Sequence, residues 1–402
     1  MGIGKPRSGM RSRMTPAIVD QVDVHALVFP TPEPESDGTL TWDHTGVVVV
    51  EVHAGDHTGL GWTYTSPAAA ELVRSVLAPQ VVGQNPASPS RLWERMRRAC
   101  RDLGTRGIVM AAISAVDIAL WDVRGKSLGL PITELWGTHR ESVPVYGSGG
   151  FTSMSLDQLD AQVDEWLAVG CPAVKIKIGE NAGHDVARDR VRVARVVTRV
   201  RGAAQVMVDA DGAYSRGQAL RVGQDLDILG VTWFEEPVSG EDMRGLAQLR
   251  GVLGLDVAAG EHIAEVSDAR SMCDAVDCVQ LDVTRCGGFT GWRRCAAYAR
   301  AAHVPVSANC APALHLPLGM ADDHLRHVEW FSDHVAVEAQ LLEGAPVVRD
   351  GRLTASRPAA PGHGYRLKDV SRFAVDGAST GQGTVRSLDE QRLRRLSDCG
   401  ER

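Results

Sequence analysis

The sequence predicts an α/β protein built as a (β/α)8-type, TIM-like barrel with an α+β capping domain in front of it. Three observations lead there. Short β-rich runs recur eight times between 143 and 331, with helical stretches between them. The first third of the chain has a different rhythm, a strand meander followed by helices. Polar residues gather at the C-terminal ends of the eight runs, the rim on which barrels of this kind place their active sites.

Taken in order, residues 1–17 are basic and glycine-rich and lack the apolar core of a signal peptide, so they read as a disordered N-terminal extension. The capping domain is expected over 18–136. Within it, "GVVVVEVHAGDHTGLGWTY" holds two β-rich runs joined by a Gly/Asp/His turn, a hairpin signal. "FPTPEPESDGTLTW", just before, reads as a mobile Pro/Gly/Ser loop. "AAISAVDIALWDVRGKSLGLP" places Ile113, Val116, Ala119, Leu120 and Val123 at helical spacing, and Gly then Pro end the helix. The barrel is expected over 140–340. Its strands are "VPVYGSG" at 143, "AVKIKIG" at 173, "QVMVDADG" at 205, "TWFEEP" at 232, "DVAAGE" at 256, "CVQLDVT" at 278, "VPVSANC" at 304 and "HVEWF" at 327. Residues 345–372 are expected to pack back on the capping domain. Residues 376–402 form a polar tail to which no chemistry is assigned.

Composition narrows the function. A formal net charge of −7 leaves no electrostatic footprint for nucleic acid or an anionic membrane. No apolar run is long enough to span a bilayer. The 8 cysteines show no CxxC pair and no regular spacing, which reads as scattered reduced thiols in a cytoplasmic protein.

The chemistry concentrates at the strand ends. Asp209 ends the third run, Glu235 the fourth and Glu261 the fifth, equally spaced along the chain. One βα unit per step sets the three carboxylates side by side. Unpaired, they would repel; a hard divalent cation resolves that, and oxygen-only ligation favours Mg2+. On the second strand, Lys175 and Lys177 are two apart and point to the same face. Ammonium groups aimed into a barrel are costly unless paired or functional. A second ammonium and a nearby cation both favour the neutral amine, so a lysine here can serve as a base.

These motifs together, "AVKIKIG", "VDADGAY", "TWFEEP", "AAGE" and "QLDVTRCGG", resemble the enolase superfamily and, within it, the mandelate racemase subgroup. "AVDIALWDVRGKSLGLPITELWG" resembles that family's hinge from cap to barrel. The resemblance spans roughly 18–372. It implies that Asp209, Glu235 and Glu261 bind Mg2+, and that Lys177 removes the proton α to a substrate carboxylate with Lys175 close by. It implies that Glu236 lies behind the ligands and that Glu329, on the eighth strand, hydrogen-bonds the incipient enediolate. It also implies that segments near 30–42 and 55–66 close over the substrate, and that the protein is a homo-oligomer of the octameric kind.

One departure stands out. The subgroup pairs an Asp on the sixth strand with a His on the seventh, as an acid/base dyad facing the lysine. Asp282 is present, but Asn309 holds the histidine's position, and an amide cannot shuttle protons. "DAD" also replaces the commoner "DAN", so Asp211 adds negative charge near the metal. His262 could stand in for the missing histidine, although strand alternation turns it away. His315, Cys286 and Cys310 read as structural.

The expected function is Mg2+-dependent abstraction of an α-proton from a small carboxylate, leading to dehydration of an acid sugar. If proton and hydroxyl leave from one face, Lys177 can act as base and then as acid. The alternatives are a racemase or epimerase, which needs bases on both faces, and a protein that binds metal and carboxylate without turnover.

Overall fold

The computed structural model describes residues 18–355 and 360–375; the expected N-terminal extension and polar tail lie outside the described residues. The cap opens with a three-stranded antiparallel sheet, β1 (Gln21–Ser36), β2 (Thr41–Ala54) and β3 (His57–Tyr64). The stretch read as a mobile loop is instead strand. β1 runs through Pro30, Pro32 and Pro34, pairs again with β2 at Glu35↔Trp42, and breaks register only between Pro30 and Glu35. The physical reason is that β1 is an edge strand, where a residue without an N–H costs no ladder hydrogen bond. The turn itself is confined to 37–40, where Asp37 Oδ1 accepts from the backbone N–H groups of Thr39 and Leu40.

The long helix Ile108–Leu128 lies directly on this sheet. A Cβ added at Gly59 or Gly61 of β3 would stand 2.1 Å from the carbonyl oxygen of Ala119 or Ala115, so only glycine allows the approach. The helix is buried on nearly every side rather than along one stripe. Its other face meets the barrel helix Gly288–Ala301. There Trp121 Nε1 donates to Thr290 Oγ1 at 2.9 Å, and Asp117 accepts from both the backbone N–H and the hydroxyl of Thr290.

The barrel strands are β4 (Val143–Gly149), β5 (Ala173–Lys177), β6 (Gln205–Asp209), β7 (Trp233–Glu235), β8 (Asp256–Ala259), β9 (Cys278–Leu281), β10 (Val306–Ala308) and β11 (Leu325–Phe331). All pair in parallel in chain order, and β11 closes on β4. Tyr146, Ala173, Met207, Trp233, Ala258 and Cys278 form an apolar plug low in the barrel. Two residues further along each strand, alternation puts the next inward side chain one layer higher, and there the residues turn polar.

After β11 the helix Ser332–Leu341 leads into β12 (Leu342–Glu343), β13 (Val347–Arg349) and β14 (Arg352–Thr354). The segment expected to return to the cap is split. β14 pairs with the start of β4 and extends the barrel sheet, while β12 pairs with β15 (Arg366–Leu367). Residues 360–375 then work as a clasp on the cap. His363 Nε2 hydrogen-bonds Leu60 O, Phe373 stacks on Phe29 with ring centroids 4.1 Å apart, and Ala374 bridges to Leu27 at the edge of β1. No helix among the described residues is long and apolar enough to cross a membrane.

Candidate active site

Register builds the centre of the site. Lys177 pairs with Asp209 across β5–β6, and Asp209 with Glu235 across β6–β7, so three inward residues fall in one layer. Lys175 sits one layer lower, level with Met207. Its Nζ lies 2.6 Å from Glu235 Oε2, 2.8 Å from Glu329 Oε1 and 3.5 Å from Asp209 Oδ2. Lys177 Nζ lies 2.6 Å from Asp209 Oδ2 and 3.0 Å from Asp211 Oδ1. All of these side chains are buried or nearly so.

The expectation of a neutral amine concerned lysines beside a bound cation; without one, the surrounding carboxylates decide their charge. Burial does push their pKa values down, but the carboxylates of Glu235 and Glu329 around Lys175, and of Asp209 and Asp211 around Lys177, outweigh it and hold both well above the ordinary value. The effect of neighbouring anions exceeds that of desolvation.

Glu261 stands just past β8 and is held by Arg285 Nη1 at 2.7 Å. Burial opposes its ionisation, yet Arg285, His262 and Lys177 hold its pKa down to about 2. Burial, together with the charge of Glu261, pushes the buried Glu236 the other way, well above the carboxylate range. Asp211 is raised in the same way by burial and by Asp209. Both residues take positive φ, 36° at Glu236 and 46° at Asp211, so the backbone at these two strand tips is bent into a region that ordinary residues rarely occupy.

Glu329 accepts from Ser148 Oγ at 2.6 Å and from the backbone N–H of Cys310 at 2.7 Å. Asp282 Oδ1 accepts from the N–H and hydroxyl of Thr284, and its Oδ2 lies 3.2 Å from Arg285 Nε. Asp282 is thus compensated by an arginine on its own loop, where the family pattern supplies a histidine. Asn309 is buried, and its Nδ2 has no hydrogen-bond partner. His262, with its side chain 72% exposed, leans on Glu261 at 3.3 Å. His315 is structural: Nδ1 donates to Cys310 O, and Nε2 accepts from the N–H of Val283. Burial raises the Cys310 and Cys286 thiols well above their ordinary value, which leaves them unreactive.

These groups open into a cavity of about 410 Å3 between the barrel mouth and the cap. Lys177, Asp211, Glu236, Glu261, Asn309 and Glu329 line its floor. Its outer wall includes residues the sequence reading did not single out. Trp42, Thr45 and Tyr64 come from the cap, and Asp333 and His334 from the helix after β11. The His334 ring stacks on Tyr64 with centroids 3.5 Å apart, and its Nδ1 accepts from the backbone N–H of Ala311. Burial pushes its pKa well below the ordinary value, so the ring is neutral and carries its proton on Nε2. No motif marks this residue; its one sequence signal is a His placed five residues after Glu329.

Among the described residues no three Asp, Glu, His or Cys side chains close around a common point as they do about a bound cation. The donor chemistry nonetheless fits one. Asp209, Glu235 and Glu261 offer only oxygen, and Glu235 Oε1 and Asp211 Oδ2 are buried with no hydrogen-bond partner, as ligands awaiting a hard cation would be.

Comparison with known proteins identifies the family. Residues 158–371 match the family model described as enolase C-terminal domain-like, and residues 23–137 match the mandelate racemase / muconate lactonizing enzyme N-terminal domain. The chain is 28% identical over 375 residues to the L-talarate/galactarate dehydratase of Salmonella typhimurium, covering 88% of this chain and 90% of that one. It superposes with a TM-score of 0.86 and 40% identity on a mandelate racemase/muconate lactonizing enzyme-like protein from Rubrobacter xylanophilus, covering 89% of this chain and 100% of that one. It also superposes, with a TM-score of 0.80 and 27% identity, on L-talarate dehydratase from Polaromonas sp. JS666 complexed with Mg and L-glucarate, covering 90% and 98% of the two chains.

Proposed function

We infer that this chain, which belongs to the mandelate racemase / muconate lactonizing enzyme family of the enolase superfamily, is a Mg2+-dependent hydro-lyase that dehydrates an acid sugar. Asp209, Glu235 and Glu261 would hold the Mg2+. When bound, the cation supplies positive charge against the negative charge that grows on the substrate carboxylate as the α-proton leaves.

The observation that carries the reading is the arrangement of proton-handling groups. Lys177 is the ammonium that opens into the cavity, while Lys175 is packed beneath it. On the wall of β10, three strands round the closed barrel from β5 by way of β4 and β11, stands Asn309, whose amide nitrogen is buried and unpartnered. Beside it His334 presents an N–H, not a lone pair. A cation held by Asp209 would draw off the negative charge that keeps Lys177 protonated, so a base would stand on one side and hydrogen-bond donors on the other. That suits removal of a proton at Lys177 Nζ followed by departure of a hydroxyl. It does not suit racemisation, which needs a proton acceptor on each face. The family resemblance gives Glu329, whose carboxyl is fixed by Ser148 and the Cys310 N–H, the role of hydrogen-bonding the enediolate oxygen, and Asp282 is paired with Arg285 beside it. Glu236 and Asp211 tune the charge behind the metal ligands, and His262 borders Glu261 at the rim.

The cap, residues 18–136 with the clasp at 360–375, closes the mouth of a barrel spanning 140–340, to whose sheet β13 and β14 are added. Support comes from the cavity lining, which combines cap and barrel residues. A cytoplasmic setting is supported by the free, buried state of the described cysteines. A homo-oligomer, up to an octamer, follows from the family resemblance; sedimentation as a stable monomer at micromolar concentration would remove that part.

The test is deuterium incorporation into a panel of acid sugars in D2O, with product analysis. Dehydration with exchange from one face supports the reading. Exchange from both faces means an epimerase with a second base. No exchange of any acid sugar means a binder without turnover.

A further inference from the structure

The cavity's outer half differs from its floor in a way that speaks to the far end of the substrate. The substrate's reacting end must lie at Lys177 and the three carboxylates. Its far end then points toward the cap, against Trp42, Thr45, Tyr64, Asp333 and His334. Asp333 is the acidic group there; burial raises its pKa and the Thr45 hydroxyl works against that rise. It is buried, and both of its oxygens accept from Thr45 Oγ1, at 2.9 and 2.7 Å. Glu35 stands behind it, holding the indole N–H of Trp42 at 3.0 Å. Burial and the charge of Asp333 raise the Glu35 pKa to about 8, which shows how little positive charge this wall offers.

The cations that line the cavity are already paired. Arg285 is shared between Glu261 and Asp282, and Lys177 between Asp209 and Asp211. Of the histidines, His44 lies against Asp43 at 2.6 Å and His262 against Glu261, both at the exposed rim, and His334 is neutral. Among the described residues lining the cavity there is no arginine or lysine on the cap side.

From this arrangement we propose that the substrate is a monocarboxylic acid sugar, an aldonate with an uncharged polyhydroxyl tail, and not a dicarboxylate of the talarate or galactarate kind. A second carboxylate would be brought against Asp333 with no cation to receive it, and like charges in a dry pocket are strongly disfavoured. Hydroxyl groups, by contrast, can donate to Asp333 and accept from the Nε2–H of His334. The faces of Trp42 and Tyr64 take the C–H edges of such a tail. The proposal rests on the acid-sugar reading above and narrows it to one class.

The experiment uses the full chain with Mg2+ and a panel of stereoisomeric hexonates and pentonates, each paired with its dicarboxylate counterpart, plus acids carrying a terminal ammonium. Turnover and α-proton exchange are measured for each. The expected result is a kcat/KM at least about tenfold higher for an aldonate than for its paired aldarate. In Asp333→Asn that ratio should shrink toward parity, because the repelling charge is gone. Equal or better turnover of the aldarates overturns the proposal and leaves the dehydratase reading standing. Preference for the ammonium-bearing acids also overturns it, in favour of a cationic tail. Failure of every compound to exchange sinks the acid-sugar reading itself, and this inference with it.

Discussion

Asn309 holds a buried amide nitrogen that no protein atom satisfies, and Lys177 holds an ammonium that opens on the same cavity. The two residues predict different losses. Lys177→Ala should remove both turnover and α-proton exchange, since no other basic group is placed to take the proton. Asn309→Ala should leave exchange detectable and lower kcat/KM by roughly 1–3 kcal/mol, the range of one hydrogen bond to a developing charge. Single-turnover kinetics with exchange measured by mass spectrometry separates them. Equal losses in the two variants would mean that Asn309 takes part in the proton transfer. At this scale the catalytic floor was largely legible in the sequence, because alternation along short strands sends Lys175, Lys177, Asp209 and Glu235 inward whatever else the fold does. The state of those lysines was not legible. It depends on Glu329, reaching Lys175 from a strand far along the chain, and on Asp211, whose positive φ turns it back onto Lys177. His334 was illegible for the same reason: what fixes its proton is a backbone N–H, which no motif records.

At the scale of elements, the long helix and the cap sheet meet through two glycines. Gly61→Ala should destabilise the fold by roughly 1–3 kcal/mol or more, because the new Cβ meets a helix carbonyl that has no room to retreat. Thermal unfolding would measure it, and an unchanged Tm would show that the helix can shift. The seam between β1 and the helix Ser332–Leu341 carries a pH dependence. Glu35 is held protonated up to about 8 in the folded protein, against an ordinary 4.5. Between those two values the unfolded chain binds fewer protons than the native one, so stability falls as pH rises through that window. Glu35→Gln removes the titration. Its Tm relative to wild type should climb from pH 5 to pH 8 and then level off; a constant difference would refute the assignment. The eight barrel strands could be read from their regular recurrence, but β1 could not. Pro30, Pro32 and Pro34 mark a loop by composition, and only their place on a sheet edge, a tertiary fact, makes them strand.

At the scale of the molecule, the site is assembled from both halves of the chain, and ligand binding should register as stability. Millimolar Mg2+ should raise Tm in a concentration-dependent manner, and chelation should lower it and abolish turnover; Glu235→Gln should blunt both effects. Scanning calorimetry with and without chelator checks this, and a Tm indifferent to Mg2+ in the wild type would count against the three-carboxylate site. The clasp formed by residues 360–375 bears on how the chain comes into being. The cap is synthesised first and the barrel second, yet the part of the β1 edge around Leu27 and Phe29 is covered only when Phe373 and Ala374 arrive. For nearly the whole time on the ribosome, the nascent cap therefore presents an open sheet edge beside an unsealed apolar face, a template for pairing with a neighbouring chain. A segment made late in synthesis is the one that withdraws that template, so a chain truncated before 360 would be threatened by self-association long before it was threatened by any loss of chemistry.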